Sequence, residues 1–374
     1  MRVRLGAGLV LLIFFPLYGQ HEIPTQGDST DLPYQVGRYD AITDVPGVQV
    51  GHYTHTEGTL RGTTVIIPGE AGGLCALEVR GSNPVALGES IFAPVTIGEQ
   101  CDAIVLTGGS FFGLATVTGV VDFLFERGRG VRTRAGVVPI VPAAVIFDLP
   151  VGDAKIHPKA EWGYKAAENA VGGPVAQGNI GAGAGGTIGK SPGAVRLKGG
   201  LGTASAVLPE GVVVAALVVL NPVGDVVNPT TGELYAVAGG YDKVLYRHRF
   251  APIESAPRSA ALENTTLAVI ATNAKLSKTQ LTKVAQLAQD GLARAIRPIH
   301  TMLDGDTIFV VSVGWEERVS LQTSYPGEEV DRIGSAAADV LVRAILKGVE
   351  AADSIPGFPS YRDWKRSGQP GVQK

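Results

Sequence analysis

The chain has 374 residues, 45% hydrophobic and 18% charged, which excludes a disordered polypeptide and leaves room for one large or two ordinary domains. A formal net charge of −3 gives no electrostatic case for binding nucleic acid. The six histidines include no HExxH pattern, with His52 and His55 only a weak pair, and Cys75 and Cys101 form no CxxC, so neither a metal nor any other cofactor is expected.

The first nineteen residues stand apart. Arg2 and Arg4 precede an apolar run over residues 5–18, and Gly19 and Gln20 open a polar stretch. A basic start, a short apolar core and a small residue at the break describe a secretory signal peptide. The run falls short of the roughly 20 apolar residues of a membrane span. Residues 1–19 are therefore expected to be removed on export, leaving residues 20–374 as a single catalytic domain in the periplasm or outside the cell, with no stable membrane span. An uncleaved N-terminal anchor is the alternative.

Further along, residues 48–53 and 62–68 read as strands. Residues 101–106 are a short apolar run ending in Thr107-Gly108-Gly109-Ser110, and 111–127 read as a helix stopped by Gly128. A second helix spans 160–171, ended by Gly172-Gly173. Residues 203–208 and 212–220 read as two strands joined by a Pro209-Glu210-Gly211 turn. The stretch 251–261, rich in Pro, Ser and Ala, reads as an exposed loop that runs into a buried strand at 267–272. Ser277 caps a long helix to Ala295; a strand follows at 307–313, a helix at 335–349, and a polar, Pro/Gly-rich tail from Asp353. The two cysteines either form one disulfide or stay as buried thiols. Strands punctuated by a few long helices predict an α+β fold with helices layered on sheet. The regular alternation of a doubly wound parallel sheet is missing.

The chemistry gathers around Leu262-Glu263-Asn264-Thr265-Thr266. β-branched residues suit the mouth of a strand on propensity alone. A Thr hydroxyl can also attack the carbonyl that precedes it, turning the peptide into an ester that water then cuts. Thr265 would then carry a free α-amine with a reference pKa of about 7.7–8.0, able to take the hydroxyl proton near neutral pH. Asp304-Gly305-Asp306 precedes the strand at 307–313, and its two carboxylates are expected to point the same way from an extended chain. One suits orienting the amine and the other carrying charge or a proton; a surface turn or a cation loop gives the same tripeptide. Lys198 reads either as a group that tunes a neighbouring amine or holds the nucleophile, or as a solvated loop charge. Asn221 reads as an oxyanion donor or a turn former.

Several motifs, in order, then resemble one family. They are Ile42-Thr43-Asp44-Val45-Pro46-Gly47-Val48-Gln49-Val50-Gly51-His52-Tyr53, Thr63-Thr64-Val65-Ile66-Ile67-Pro68, Val79-Arg80-Gly81, Ile104-Val105-Leu106-Thr107-Gly108-Gly109-Ser110 with Phe112-Gly113-Leu114, Gly178-Asn179-Ile180-Gly181-Ala182-Gly183, Lys198-Gly199-Gly200-Leu201-Gly202 and Asn264-Thr265-Thr266-Leu267. Over nearly all of residues 20–374 the chain resembles the DmpA-type aminopeptidases, which include L-aminopeptidase/D-amino-acid esterases, β-peptidyl aminopeptidases and nylon-oligomer hydrolases.

The resemblance implies a four-layer αββα sandwich like that of N-terminal-nucleophile hydrolases. It implies self-cleavage between Asn264 and Thr265 into an α subunit, residues 20–264, and a β subunit, residues 265–374. It further implies hydrolysis of a peptide or amide substrate and a homo-oligomer of α/β units. Thr at the nucleophile position is similar to the nylon-oligomer branch, where Ser marks the aminopeptidase branch. Asp304 and Asp306 fit the same pattern, and Lys198 and Asn221 are carried over as site residues, with Asn228 the competing Asn. Phe147 stands where relatives often carry a site Tyr, so a ring is kept for substrate binding and a hydroxyl is lost. Phe111 stands where an Ala is common. Two rival readings remain at this point: an acyltransferase of the ornithine acetyltransferase type, and an uncleaved, non-catalytic binding protein.

Overall fold

The structure, a computed structural model, describes residues 34–190, 194–236, 264–313 and 319–368. The export signal read at 1–19 and the loop read at 251–261 lie outside the described residues. In chain order the principal elements are β1 (Gln49–His55), β2 (Arg61–Ile67), β3 (Gly73–Val79), β4 (Ala86–Leu87), β5 (Gln100–Cys101), β6 (Ile104–Thr107), α1 (Thr116–Glu126), β7 (Ala143–Val145), α2 (Ala160–Glu168), β8 (Gly200–Val207), β9 (Val213–Asn221), β10 (Thr265–Thr272), α3 (Lys278–Ala295), β11 (Thr307–Ser312), α4 (Glu328–Ala351) and α5 (Tyr361–Arg366).

Two sheets carry the molecule. One has the order β1-β2-β6-β7-β4 and the other β8-β9-β10-β11-β3-β5. Neighbours are antiparallel except β6–β7 and β10–β11, which are parallel. The apolar runs of β9, β10 and β11 lack polar alternation because both of their faces are covered. Val214, Ala216, Val218, Ala268, Ile270, Ile308 and Val310 pack with Leu281, Val284, Ala288, Val340 and Leu341 of α3 and α4. The alternate residues Ala215, Leu217, Val219, Leu267, Val269, Phe309 and Val311 pack across to Val50, Ile66, Ile104 and Leu106 of the other sheet. That sheet's outer face, with Val65, Ile67 and Val105, packs on Val120, Phe123 and Leu124 of α1 and Ala166 of α2. Three cores separate four layers, so the architecture is the expected α+β, αββα sandwich.

Several elements depart from the sequence reading. The helix expected over 111–127 begins as a 3-10 turn, Ser110–Ala115, before α1, and Gly128 ends it at φ 65°. The helix expected to reach residue 171 stops at Glu168, because Val171 exchanges backbone hydrogen bonds with Val50 at 3.0 and 3.1 Å. α4 starts at Glu328, earlier than residue 335, with Glu328, Glu329 and Asp331 in its first turn against the positive end of the helix dipole. The polar tail contains α5, capped by Ser360, whose hydroxyl oxygen accepts the Asp363 amide at 3.2 Å. Strand β3 went unread, although it lies inside the six-stranded sheet beside β11. The open question of the cysteines closes in favour of a bond: Cys75 and Cys101 form a disulfide with Cα atoms 6.0 Å apart, fully buried between the sheets.

α1 and α2 touch through glycine. A Cβ on Gly119 would fall 1.8 Å from the Ala160 carbonyl oxygen, and one on Gly163 would fall 1.9 Å from that of Thr116. Both collisions are with backbone, which cannot swing aside. Gly119→Ala is therefore expected to lower the free energy of unfolding by roughly 1–3 kcal/mol, read as a reduced urea midpoint at an unchanged m-value.

Candidate active site

The parallel register of β10 and β11 pairs Leu267 with Thr307. β10 opens with Thr265-Thr266 directly after Asn264, and β11 follows Asp304-Gly305-Asp306, so Asn264-Thr265-Thr266 lies alongside Asp304-Gly305-Asp306. Asn264 and Asp304 form a parallel bridge. The Asn264 carbonyl oxygen accepts two hydrogen bonds, from the Gly305 amide at 3.0 Å and from the Thr265 hydroxyl at 2.5 Å. Only glycine fits between them: a Cβ on Gly305 would lie 2.7 Å from the Asn83 carbonyl oxygen and 2.9 Å from the Thr265 hydroxyl.

The two carboxylates hold different groups. Asp306 accepts the Thr266 amide at 2.7 Å through Oδ1, and both the backbone amide and the ring Nδ1 of His300 at 3.0 Å through Oδ2. Asp304 accepts the Val223 amide at 3.0 Å, and the Thr301 amide and hydroxyl at 3.0 and 2.6 Å. Both are fully buried. Burial first, and then the Asp306 carboxylate, push the Asp304 carboxyl above its ordinary range. Asp306 thus anchors the residue after Thr265, and Asp304 anchors the loop after β9.

Asn221 ends β9 directly opposite Thr265 in the antiparallel register. By the two-residue period of their strands, both side chains emerge on the face that looks across to the other sheet, with Leu267 and Val219. From that other sheet, just past β7, the Phe147 carbonyl accepts the Asn221 Nδ2 at 3.0 Å. Asn221 Oδ1 accepts from the Thr187 amide and hydroxyl at 3.2 and 3.3 Å and from Lys190 Nζ at 2.7 Å. The site therefore sits at the mouth between the two sheets, and Asn221 joins their edges.

Lys198 is fully buried, not a solvated loop charge. Its ammonium donates to the Ala184 and Gly186 carbonyl oxygens, both at 2.7 Å. It occupies a two-residue strand, Leu197–Lys198, in which Lys198 pairs with Thr187, the residue bonded to Asn221. Burial pulls its pKa down to about 7, against the opposing field of Asp148. Asp148 is also buried; desolvation pushes its carboxyl up and Arg61 resists. Arg61 Nε and the Gly109 amide reach Asp148 Oδ1 at 2.8 and 2.7 Å. A Cβ on Gly108 would lie 2.2 Å from Asp148 Oδ2, so the Gly108-Gly109 pair makes room for this carboxylate next to Phe147.

The sequence reading missed Lys190, Arg61, Asp148 and His300 as neighbours of the site. No motif links them to Thr265, and only the backbone's return across the sheets brings them in. Asn228 is elsewhere: its Oδ1 accepts from the Thr230 and Thr231 amides in a surface turn. Phe147 lines an open cleft with Thr187, Lys190, Arg196 and Phe358. The tail forms part of its wall, since the Pro359 carbonyl oxygen accepts the Lys198 amide at 2.9 Å.

Comparison with known proteins agrees with this architecture. The sequence model of peptidase family S58 matches residues 40–362. The chain is 43% identical over 350 residues to an uncharacterised aminopeptidase of Mycobacterium leprae, covering 86% of this chain and 93% of that one. It is 32% identical over 330 residues to a 6-aminohexanoate-oligomer endohydrolase of Kocuria sp., covering 84% and 87%. The solved L-aminopeptidase D-Ala-esterase/amidase of Ochrobactrum anthropi, described as a variant of the Ntn hydrolase fold, superposes with a TM-score of 0.65 at 22% identity over 91% of this chain and 97% of that chain.

Buried Lys198 couples stability to pH. It sheds its proton near pH 7 in the folded chain and near 10.5 when unfolded. Across that window the unfolded state holds more protons, so stability rises with pH, and the gain is lost as pH falls back through 7. The expected slope is at most ~1.4 kcal/mol per pH unit. Urea unfolding of Lys198→Met at several pH values is expected to show a flatter profile than the parent chain.

Proposed function

The chain belongs to peptidase family S58, and from that premise we propose that Thr265 is its nucleophile, exposed when the chain cuts itself after Asn264. As a member of that family with aminopeptidase and amide-hydrolase relatives, the protein is a hydrolase of peptide or amide bonds with the N-terminal-nucleophile fold. One observation carries the choice of atom: the Thr265 hydroxyl lies 2.5 Å from the oxygen of the carbonyl it would attack, and the Gly305 amide donates to that same oxygen at 3.0 Å.

In self-cleavage the Thr265 Oγ1 adds to the Asn264 carbonyl carbon, and negative charge gathers on the oxygen held by Gly305. The hydroxyl proton passes to the Thr265 nitrogen, the C–N bond breaks and an ester remains. Water hydrolyses that ester, leaving a carboxylate on Asn264 and a free α-amine and hydroxyl on Thr265. In turnover the amine takes the hydroxyl proton, Oγ1 attacks the substrate carbonyl, and the proton leaves with the departing amine. Water then clears the acyl ester. Asp306, bonded to the Thr266 amide, keeps the new terminus in register through these steps.

The two fragments stay interlocked on this reading. β10 and β11 of the smaller one lie between β9 and β3 of the larger, paired on both sides. The same proposal includes export after removal of residues 1–19, which the buried Cys75–Cys101 disulfide supports, because disulfides persist in oxidising compartments. It also includes a homo-oligomer of α/β units, for which the exposed Val95 and Ile97 offer apolar surface.

Denaturing gel electrophoresis with intact-mass analysis checks the central step. The parent chain is expected as two fragments, the smaller beginning at Thr265, and Thr265→Ala as one folded, uncut chain. Amide hydrolysis by that variant should fall by at least about a thousandfold. Asp306→Asn loses the charge facing His300 and the Thr266 amide and should slow cutting or turnover by roughly tenfold to a hundredfold, with the fold retained by circular dichroism. A Thr265→Ala chain that still cuts and turns over would overturn the assignment.

A further inference from the structure

The cleft beside the site has a chemical character of its own. Phe147, Asp148, Thr187, Lys190, Arg196 and Phe358 line it, and it opens to solvent. Three of its walls converge on one amide: the Phe147 carbonyl, the Thr187 amide and hydroxyl, and Lys190 Nζ all bond the Asn221 side chain. Asn221 is the cross-strand partner of Thr265. Thr265 and the residues that line the cleft are thus linked through one side chain, that of Asn221.

The charges in the cleft are uneven. Asp148 is buried, and one of its oxygens is held by Arg61 and the Gly109 amide. Lys190 stands deeper, bonded to the Asn221 carbonyl oxygen and Oδ1 at 2.9 and 2.7 Å. Arg196 stands exposed at the cleft, with no hydrogen bond or ion pair among the described residues. A guanidinium presents donors in a flat fork that matches a carboxylate with two parallel hydrogen bonds. The aromatic rings of Phe147 and Phe358 supply an apolar approach to it.

We propose that this cleft is a substrate subsite in which Arg196 binds a carboxylate of the peptide or amide being cut. The substrate class is thus an amide with an anionic group within a residue or two of the scissile bond. The proposal rests on Thr265 as the nucleophile, because Asn221 connects the cleft to that atom.

Two substrate pairs separate the two places a carboxylate can occupy. One pair is a dipeptide with a free C-terminal carboxylate and its C-terminal amide. The other is an α-glutamyl and a glutaminyl 4-nitroanilide. With the purified, self-processed protein, kcat/KM for the anionic member of one pair is expected to exceed that of the neutral member by roughly tenfold. The preference should shrink with added salt, as screening requires. Arg196→Gln should bring the ratio to about one, and Arg196→Lys should restore part of it. A protein that splits at Thr265 and hydrolyses these amides without preferring either anion overturns the subsite and leaves the nucleophile standing. A preference that survives in Arg196→Gln overturns it too. An unsplit, active parent chain would overturn the nucleophile and the subsite together.

Discussion

Everything at the site depends on the parallel pairing of β10 with β11. Of the neighbours in the six-stranded sheet, these alone run side by side in the same direction. Parallel strands begin at the same edge, so the two polar tripeptides at their starts are brought level. That coincidence gives the Asn264 carbonyl its two donors and gives Asp306 its hold on the Thr266 amide. A shift of register by one residue would turn Thr265 from the space between the sheets towards the helical layer. Burial of both faces, with Leu267 and Val269 in one core and Ala268 and Ile270 in another, makes such a shift costly.

Around this pairing the buried charges are arranged to position backbone as much as to react. Asp304 holds the amide of Val223 and the Thr301 loop. Asp148 and Arg61 hold each other beside Phe147, whose carbonyl in turn holds Asn221. Lys198 holds the carbonyls of the glycine-rich turn at Ala184 and Gly186. Each of these groups satisfies polar atoms that the fold takes out of water, where an unpaired one would cost about 1–3 kcal/mol. The glycines of the Gly108-Gly109 and Asp304-Gly305-Asp306 motifs are explained by the same economy of space: a Cβ at Gly108 or Gly305 would meet a carboxylate or backbone carbonyl.

Much of this was legible in the sequence where the signal is local. Ser277 with Gln280 three residues on forms a capping box, and α3 starts at Lys278 and ends at Ala295 as the pattern demands. The Pro209-Glu210-Gly211 turn joins β8 and β9 as a hairpin. The resemblance to a family placed Thr265, Asp304 and Asp306, and the structure brings those three together. What was not legible depends on distant contacts. Gly-Leu-Cys-Ala-Leu-Glu-Val of β3 has no clean alternation, because it lies inside the sheet between β11 and β5. Lys198 looks like a loop charge until its neighbours at Thr187 and Pro359 are known. The stacked rings of Tyr235 and Tyr361, 4.2 Å apart, dock α5 where composition suggested only a polar tail.

The identity of the attacking atom is the claim on which the chemistry turns, and covalent trapping addresses it directly. The protein would be quenched in acid during turnover of a slowly hydrolysed ester, and the acyl group located by peptide mass spectrometry. The mass increment is expected on the hydroxyl of Thr265 at the start of the smaller fragment. An increment on any other side chain, or on a peptide that still runs unbroken from Asn264 into Thr265, would contradict it.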